Sequence, residues 1–278
     1  MNIRFGKEND TAKLEKLWLE NFSDPERFVK WNFKYNYSPE NVVLAEQNGG
    51  IASALHIIGY DLCFEGEDLK GAYISAVATK KNFRKRGYAS EIVSAADEIC
   101  KKRGYDLCFL VPDISGFYER FGYFFAAEKK EKIISADKAP EMPFEITELD
   151  NEKFYDIYNS FVKNKRFYLK RSKKNSEMVL EDHLKNTLGD AKMLSDGGGY
   201  ILFGEEEGLI KIYELCAARR AAEQKLISYA ASLKKNIKLE TSPLMIKILN
   251  DKKSLLKLKE ETVQNALSPD EIFFNLIL

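Results

Sequence analysis

Between Val77 and Ala89 a β-rich run passes through the cations Lys80, Lys81, Arg84, Lys85 and Arg86 into Gly87 and then a long helical pattern. This junction constrains the fold more than any other segment. Ala89, Ile92, Val93, Ala96 and Ile99 recur at helical spacing and predict a helix from about Arg86 to Lys102, ended by Gly104. The N-terminus of a helix presents backbone N–H groups that have no intrahelical partner, together with a positive partial charge. A strand, a basic loop, a glycine and a helix in that order therefore make an anion cradle suited to phosphate. Gly87 lets the backbone approach closely because it has no Cβ, Ala89 keeps the first turn small, and arginine can grip phosphate as a bidentate fork. On charge alone, the same run also reads as a solvated loop before an ordinary helix.

The surrounding pattern gives the cradle a setting. Asn2–Phe5 reads as a strand. A helix capped by Asp10 or Thr11 carries Leu14, Leu17 and Trp18, and a second helix beginning at Asp24-Pro25 carries Phe28 and Trp31. Val42–Glu46, Ile51–Tyr60 and Leu69–Thr79 form an antiparallel meander through an Asn48-Gly49-Gly50 turn and a polar turn at Glu65–Asp68. After the long helix, Tyr105–Val111 is apolar nearly throughout, the signature of a strand buried on both faces. A short helix around Ser115–Phe121 and a strand region at Phe124–Ser135 follow. Lys138–Pro143, with two prolines, is the expected linker.

Beyond it the order recurs loosely. Phe144–Thr147 is a strand and Asn151–Lys163 an amphipathic helix. Met193–Glu205 and Leu209–Ala217 form a hairpin, Arg219–Leu233 is a helix, Asn236–Glu240 a strand, and Ile272–Leu278 an apolar terminal strand. The fold class is α/β (α+β): two tandem domains, 1–138 and 143–278, each a mixed, mostly antiparallel sheet flanked by helices.

Composition removes several alternatives. With 43 basic against 43 acidic side chains the net charge is +0, which argues against a protein that coats nucleic acid. Cys63, Cys100, Cys108 and Cys216 form no CxxC and have only His56 and His183 for company, so no zinc site can be assembled and each reads as a buried free thiol. No apolar run approaches the ~20 residues a bilayer span needs. The MNIRFGKEND start has no h-region, so a reducing, cytoplasmic setting is the expectation. Gly197-Gly198-Gly199 falls in a hairpin and not at a helix start, which disfavours a dinucleotide oxidoreductase.

Arg84, Gly87 and Ala89 match an Arg/Gln-x-x-Gly-x-Gly/Ala loop, and the segment resembles motif A of the GCN5-related N-acetyltransferases (GNAT), which holds the pyrophosphate of acetyl-coenzyme A. A second stretch, Pro112-Asp113-Ile114-Ser115-Gly116-Phe117-Tyr118-Glu119-Arg120-Phe121-Gly122-Tyr123, resembles a later motif of the same superfamily. There a short helix carries a tyrosine near the thioester sulfur. The arrangement as a whole is most similar to the enhanced intracellular survival acetyltransferases, without a full sterol-carrier-like third domain. In the second half the equivalent junction reads Cys216-Ala217-Ala218-Arg219-Arg220-Ala221-Ala222 and lacks the glycine, so one coenzyme per chain is expected.

The resemblance implies acetyl transfer from acetyl-CoA to a primary amine of a small molecule, polyamine or aminoglycoside-like, or of a peptide. Backbone groups of Val77, Ala78 and Thr79 would hold the pantetheine arm and polarise the carbonyl. Arg84, Lys85, Arg86, Gly87, Tyr88, Ala89 and Ser90 would bind the pyrophosphate, and Asp113 and Ile114 would line the pantetheine side. Tyr118 would be the acid toward the departing thiolate; with an ordinary phenol near ~10 against a thiol near ~8.5, the match is chemically reasonable. For the general base two alternatives stand: the C-terminal carboxylate of Leu278, as in the related subgroup, or a carboxylate such as Glu46 acting through a water. Neither metal nor membrane is implied, and relatives assemble into rings. A non-catalytic coenzyme- or partner-binding module of the same fold, and a nucleic-acid binder using the Lys80–Arg86 patch, are the readings from other classes.

Overall fold

A computed structural model of the chain describes residues 1–264 and 272–273. In chain order the elements are β1 (Asn2–Phe5), α1 (Thr11–Leu19), α2 (Glu26–Asn36), β2 (Val42–Gln47), β3 (Gly50–Phe64), β4 (Glu67–Thr79), α3 (Tyr88–Lys102), β5 (Leu107–Leu110), α4 (Ser115–Glu119) and β6 (Phe124–Ala127). Then follow β7 (Lys130–Ile134), β8 (Ile146–Glu148), α5 (Asn151–Val162), β9 (Phe167–Leu169), α6 (Lys173–Lys185), β10 (Asp190–Leu194), β11 (Gly199–Glu206), β12 (Leu209–Ala217), α7 (Arg220–Ser232), β13 (Ile237–Thr241), β14 (Leu244–Ile248), α8 (Lys253–Gln264) and β15 (Ile272–Phe273). Two sheets, each with flanking helices, bear out the expected fold class. The helices α6 and α8 were not anticipated from the sequence.

The first unit combines Met1–Ala126 with a returning segment that begins at Leu244. Its sheet runs β1-β2-β3-β4-β5-β14-β6. The meander closes through two-residue turns: Gln47 faces Gly50 and Phe64 faces Glu67. The central residues Asn48 and Gly49, and Glu65 and Gly66, all take positive φ, as turns matched to the right-handed strand twist require. On one face Val43, Leu55, Ile57, Ala72 and Ile74 pack against Ile92, Val93 and Ala96 of α3, the residues whose helical spacing marked that helix. On the other, Trp18 and Phe33 from α1 and α2 meet the His56 ring edge-on at 5.6 and 5.3 Å.

The returning segment is structural. β14 lies antiparallel to β5, from Met245 opposite Leu110 to Ile248 opposite Leu107. Asp106, at the foot of β5, fastens it. Its carboxylate accepts from the Lys70 amide at 2.7 Å and from Asn250 Nδ2 at 2.6 Å, and pairs with Lys252 at 3.2 Å. Deeper in, Lys247 reaches Asp97 at 2.7 Å, and the same carboxylate accepts the Tyr123 hydroxyl at 2.8 Å.

The sequence places the domain break at 138–143 and assigns everything after it to the second domain. In the structure the first break falls at Ala126/Ala127, and the segment from Leu244 through α8 rejoins the first unit. Two contacts explain the difference. β7 pairs antiparallel with β13, and the proline-rich stretch packs on α7, where the Met142 amide donates to Ser228 Oγ at 3.1 Å. The prolines break regular structure there without making a linker.

The second unit, Ala127–Pro243, has the sheet order β7-β13-β12-β11-β10-β8. β12 and β13 are parallel and their neighbours antiparallel. β15 runs parallel to β9; residues 274–278 of the expected terminal strand lie outside the described residues. Under α5, Arg171 and Glu214, both with fully buried side chains, form a bidentate pair at 2.8 and 2.6 Å. Tyr200 donates its hydroxyl to the same carboxylate, and the guanidinium lies 4.0 Å from the Tyr158 ring centroid. Burial works against the Arg171 charge, and the adjacent Glu214 more than restores it. Removing one member of such a pair strands the other's charge. Glu214→Ala is expected to cost about 3–5 kcal/mol in urea denaturation, whereas the double replacement Arg171→Met/Glu214→Leu recovers most of that loss.

All four cysteines are free and buried. Among the described residues no cluster of His, Cys, Asp and Glu is placed to hold a metal, and no helix is long and apolar enough to cross a membrane.

Candidate active site

The site begins where β4 and β5 part. They pair in parallel over only three positions, from Gly71 opposite Leu107 to Tyr73 opposite Phe109. β4 then continues to Thr79, so its edge toward β5 opens from Ile74 onward. A bulge marks the same stretch. The register with β3 shifts between Ala78 opposite Ala54 and Ser75 opposite His56. Within it Ala76 takes φ +49°, the left-handed region that a residue with a Cβ rarely occupies. Backbone strain of this kind gathers at binding sites, where it aims main-chain groups. The sequence pointed to Val77–Thr79, but the bulge begins one residue earlier. Ala76, with no glycine beside it, carries no signal for such a turn.

Ala78 and Thr79 are tied back to β3. The Ser53 hydroxyl donates to the Ala78 carbonyl at 2.7 Å and lies 2.8 Å from Thr79 Oγ1. The Arg84 side chain, expected at the anion, donates instead to the Thr79 carbonyl at 3.1 Å and to Asn21 Oδ1 at 2.7 Å. In this position it braces the loop.

The cradle follows. Lys85 takes φ +61° and Gly87 φ +86°, so the chain turns sharply before α3 starts at Tyr88, two residues later than the spacing suggested. Gly87 is the N-cap, no side chain caps the helix, and nothing lies within 4 Å of where a Cβ on Gly87 would stand. The first-turn amides of α3 are thus uncapped by side chains, and the space beside Gly87 is open. Among the described residues no acid pairs with Lys80, Lys81, Lys85 or Arg86, in a protein with as many acids as bases. An uncapped helix start facing open space and ringed by unneutralised cations fits a pyrophosphate. Tyr88, Ala89 and Ser90 supply the first turn.

Across from it stands α4. Tyr118 packs with Val77 and Tyr88 on one core cluster and sits 4.9 Å from the Phe117 ring and 5.9 Å from the Tyr123 ring. No hydrogen-bond partner for its hydroxyl is present among the described residues. Burial first, and the Asp113 charge second, push this phenol up to about 12. That corrects the expectation of an ordinary tyrosine: the burial that brings Tyr118 to the site also makes it a weaker acid. Asp113 and Ile114 are exposed before α4, Ile114 at 71%. The Asp113 charge is also felt by the buried Tyr73.

The base candidates fare differently. Leu278 lies outside the described residues. Glu46 is held by Arg4, whose Nη2 is 2.8 Å away, and this bond keeps its carboxyl below the usual range. His56 is buried among aromatic rings, and that burial lowers it to about 4. His183 is likewise buried, with Nε2 2.9 Å from the Asp190 carbonyl. Both histidines serve packing.

The second unit repeats the strand parting without the cradle. β12 and β13 also pair over three positions, and the β11–β12 register shifts between Leu202 opposite Glu214 and Phe203 opposite Ile212. Its connection to α7 is only Ala218-Arg219, against residues 80–87 in the first unit, and the N-cap Arg219 has φ −147°. A two-residue link leaves no loop to fold around an anion.

Sequence reading passed over Arg120. Its guanidinium donates to Ser90 Oγ at 2.8 Å and lies 4.4 and 4.9 Å from the Phe117 and Phe121 ring centroids.

Residues 2–126 match the family model described as acetyltransferase (GNAT) domain. Solved structures share the fold over most of the chain. A probable N-acyltransferase from Enterococcus faecalis aligns over 89% of this chain and 72% of its own, at 15% identity and a TM-score of 0.74. A GCN5-related N-acetyltransferase from Anabaena variabilis covers 90% and 73%, at 16% identity and TM-score 0.75. Eis1 from Mycobacterium abscessus covers 90% and 74%, at 14% identity and TM-score 0.69. No curated protein matches the sequence.

Proposed function

We propose that this chain, whose residues 2–126 match the GNAT acetyltransferase domain model, transfers the acetyl group of acetyl-CoA to a primary amine of a small molecule or peptide. The observation that carries this reading is the open, uncapped start of α3 at Gly87, linked through the Arg120–Ser90 hydrogen bond to the helix bearing Tyr118.

When bound, acetyl-CoA supplies the activated thioester. The chain's own groups do the rest. The uncapped turn Tyr88–Ser90, with Lys85, Arg86 and the Gly87 main chain, holds the pyrophosphate. Main-chain groups on the open edge of β4, aimed by the Ala76–Val77 bulge, hold the pantetheine arm and offer preorganised dipoles to the carbonyl. Asp113 and Ile114 border the arm at the start of α4. Tyr118 keeps its proton at neutral pH and donates a hydrogen bond from Oη toward the sulfur as negative charge develops there. Holding amine and thioester together removes the entropy cost of encounter, which supplies much of the rate. The acceptor amine must lose a proton, and no base is assigned among the described residues.

Calorimetry with acetyl-CoA should show one site per chain, because only the first unit has the loop. Acetylation of a panel of polyamines, aminoglycosides and peptide amines should then identify the acceptor. Absence of binding at millimolar acetyl-CoA sinks the reading. Binding without turnover on any amine, or of the thioester by water, favours a coenzyme-binding module instead.

A further inference from the structure

We propose that Lys247, on the returning strand β14, is a positioning residue for Tyr118 and acts through Asp97 and Tyr123; its catalytic consequence rests on the acetyl-transfer reading above. The starting point is how little α4 can hold by itself. At five residues it is far shorter than a helix that is stable alone in water, so the place of Tyr118 is imposed by what packs around it. Phe117 and Phe121 supply part of this by joining the core cluster under α3. The chain then turns through Gly122, at φ +86°, into Tyr123, whose ring stands edge-on to that of Tyr118 at 5.9 Å.

Tyr123 is the anchor of this segment. It is buried, and its hydroxyl donates to Asp97 Oδ1 at 2.8 Å. Burial first, then Cys108 and Asp97, hold this phenol well above the usual range, so the hydroxyl keeps its proton and acts as the donor. Asp97 is itself buried on α3, at 4% exposure. A carboxylate in such a place is costly unless a cation and hydrogen bonds satisfy it. Its second oxygen, Oδ2, accepts from Lys247 Nζ at 2.7 Å, and that ammonium also stands 5.9 Å from the Tyr123 ring centroid. Among the described residues Lys247 is the one cation that pairs with Asp97.

The lysine comes from a strand with a particular place in the sheet. β14 lies between β5 and β6, the strands immediately before and after α4, so one strand holds both ends of the α4 connection. Its lysine then neutralises the carboxylate on which Tyr123 is hung. Without Lys247 the Asp97 charge is buried with no cation beside it, the hold on Tyr123 loosens, and the ring against which Tyr118 packs moves with it. A displacement of about 1 Å in a reacting group can cost as much as 10²-fold in rate. The phosphate end of the coenzyme is a separate matter. Gly87 precedes Asp97 by ten residues on the same helix, about 15 Å along its axis.

The test uses the full chain and Lys247→Met, which keeps the length of the side chain without its charge, with melting temperatures confirming the fold. With the fastest amine of the polyamine, aminoglycoside and peptide panel, kcat should fall about tenfold, while the dissociation constant of coenzyme A changes less than about twofold. Lys247→Arg restores the charge and should recover most of the rate. The double variant Lys247→Met/Asp97→Asn should recover it too, because no buried charge is left and the new amide carbonyl still accepts from Tyr123. Tyr123→Phe breaks the chain of contacts at its other end and leaves Asp97 paired, so it should show the same split even if Lys247→Met does not fold. A second readout needs no turnover. In protein labelled with 3-fluorotyrosine, the resonance that Tyr118→Phe removes should shift or broaden in Lys247→Met and return in the double variant. Unchanged kcat in Lys247→Met or in Tyr123→Phe, or a Tyr118 resonance that does not move, overturns the proposal. So does a rate that neither Lys247→Arg nor the double variant recovers, or a parallel loss of coenzyme affinity, either of which would make Lys247 a packing residue. If the unaltered chain acetylates no amine, the acetyl-transfer reading itself fails, and the Tyr118 resonance still decides whether Lys247 holds that ring in place.

Discussion

A chain ending at Lys138 is expected not to fold. The sequence suggests that cut, since two prolines follow and the segments that resemble acetyltransferase motifs all lie before it. The structure places β14 between β5 and β6, so the truncation leaves both strands without their shared partner. It also removes Leu244, Met245, Ile246, Leu255 and Leu258, all at 3% exposure or less. At about 2 kcal/mol for each buried side chain, the loss is about 10 kcal/mol. That is comparable with the whole stability of an ordinary domain. Asp106 would lose Asn250 and Lys252, and Asp97 would lose Lys247. The fragment 1–138 should be recovered as aggregate, because unpaired strand edges template association. Co-expression with residues 244–278 should restore soluble protein. A monomeric 1–138 that unfolds cooperatively at the full chain's urea midpoint would refute this account of the return strand.

Tyr118→Phe should lower kcat by about two orders of magnitude, the lower range for removing a positioned acid. Coenzyme affinity should change less than twofold, since the hydroxyl meets the sulfur end only. The pH profile separates two roles for the hydroxyl. A phenol at about 12 against a thiol near ~8.5 is more than three units too weak to hand over its proton outright, a cost of about 5 kcal/mol. In the proposed reaction Tyr118 would therefore work as a hydrogen-bond donor, and the wild-type rate should show no basic limb from its ionisation up to about pH 10. A limb below that value, absent from Tyr118→Phe, would mean that the site lowers the phenol and that full proton transfer takes place. Unchanged turnover in Tyr118→Phe would remove it from the mechanism.

Much of the first unit could be read before the fold was known, for physical reasons that can be named. The apolar residues of α3 follow one helical face, and the whole face is buried against one sheet. Asn48-Gly49 sits where only a positive-φ turn can join two strands. The cradle was legible because its parts are contiguous: a basic loop, a glycine and a helix start within a dozen residues. Tyr118 was legible because it stands in a dense aromatic run.

What stayed hidden depends on residues far apart in the chain. Nothing in Ala76 announces a left-handed residue, because the bulge arises from the mismatch between β3 and β4. Arg120 looks like any surface arginine until α4 brings it to Ser90, thirty positions away in sequence. The second unit's buried Arg171–Glu214 pair joins residues 43 apart, each unremarkable in its own segment.

The sequence by itself determined the local devices of this protein: the periodic faces, the hairpin turns and a basic, glycine-led helix start whose loss in the second half is visible as a missing glycine. The tertiary structure decided which strand completes which sheet, how acidic Tyr118 is and which cations remain unpaired. Periodicity and turn chemistry act over a few residues and leave their mark in the order of the chain. Strand partners, desolvation and charge neutralisation are set by whatever the fold brings alongside, and for β5 that is a strand more than 130 positions later.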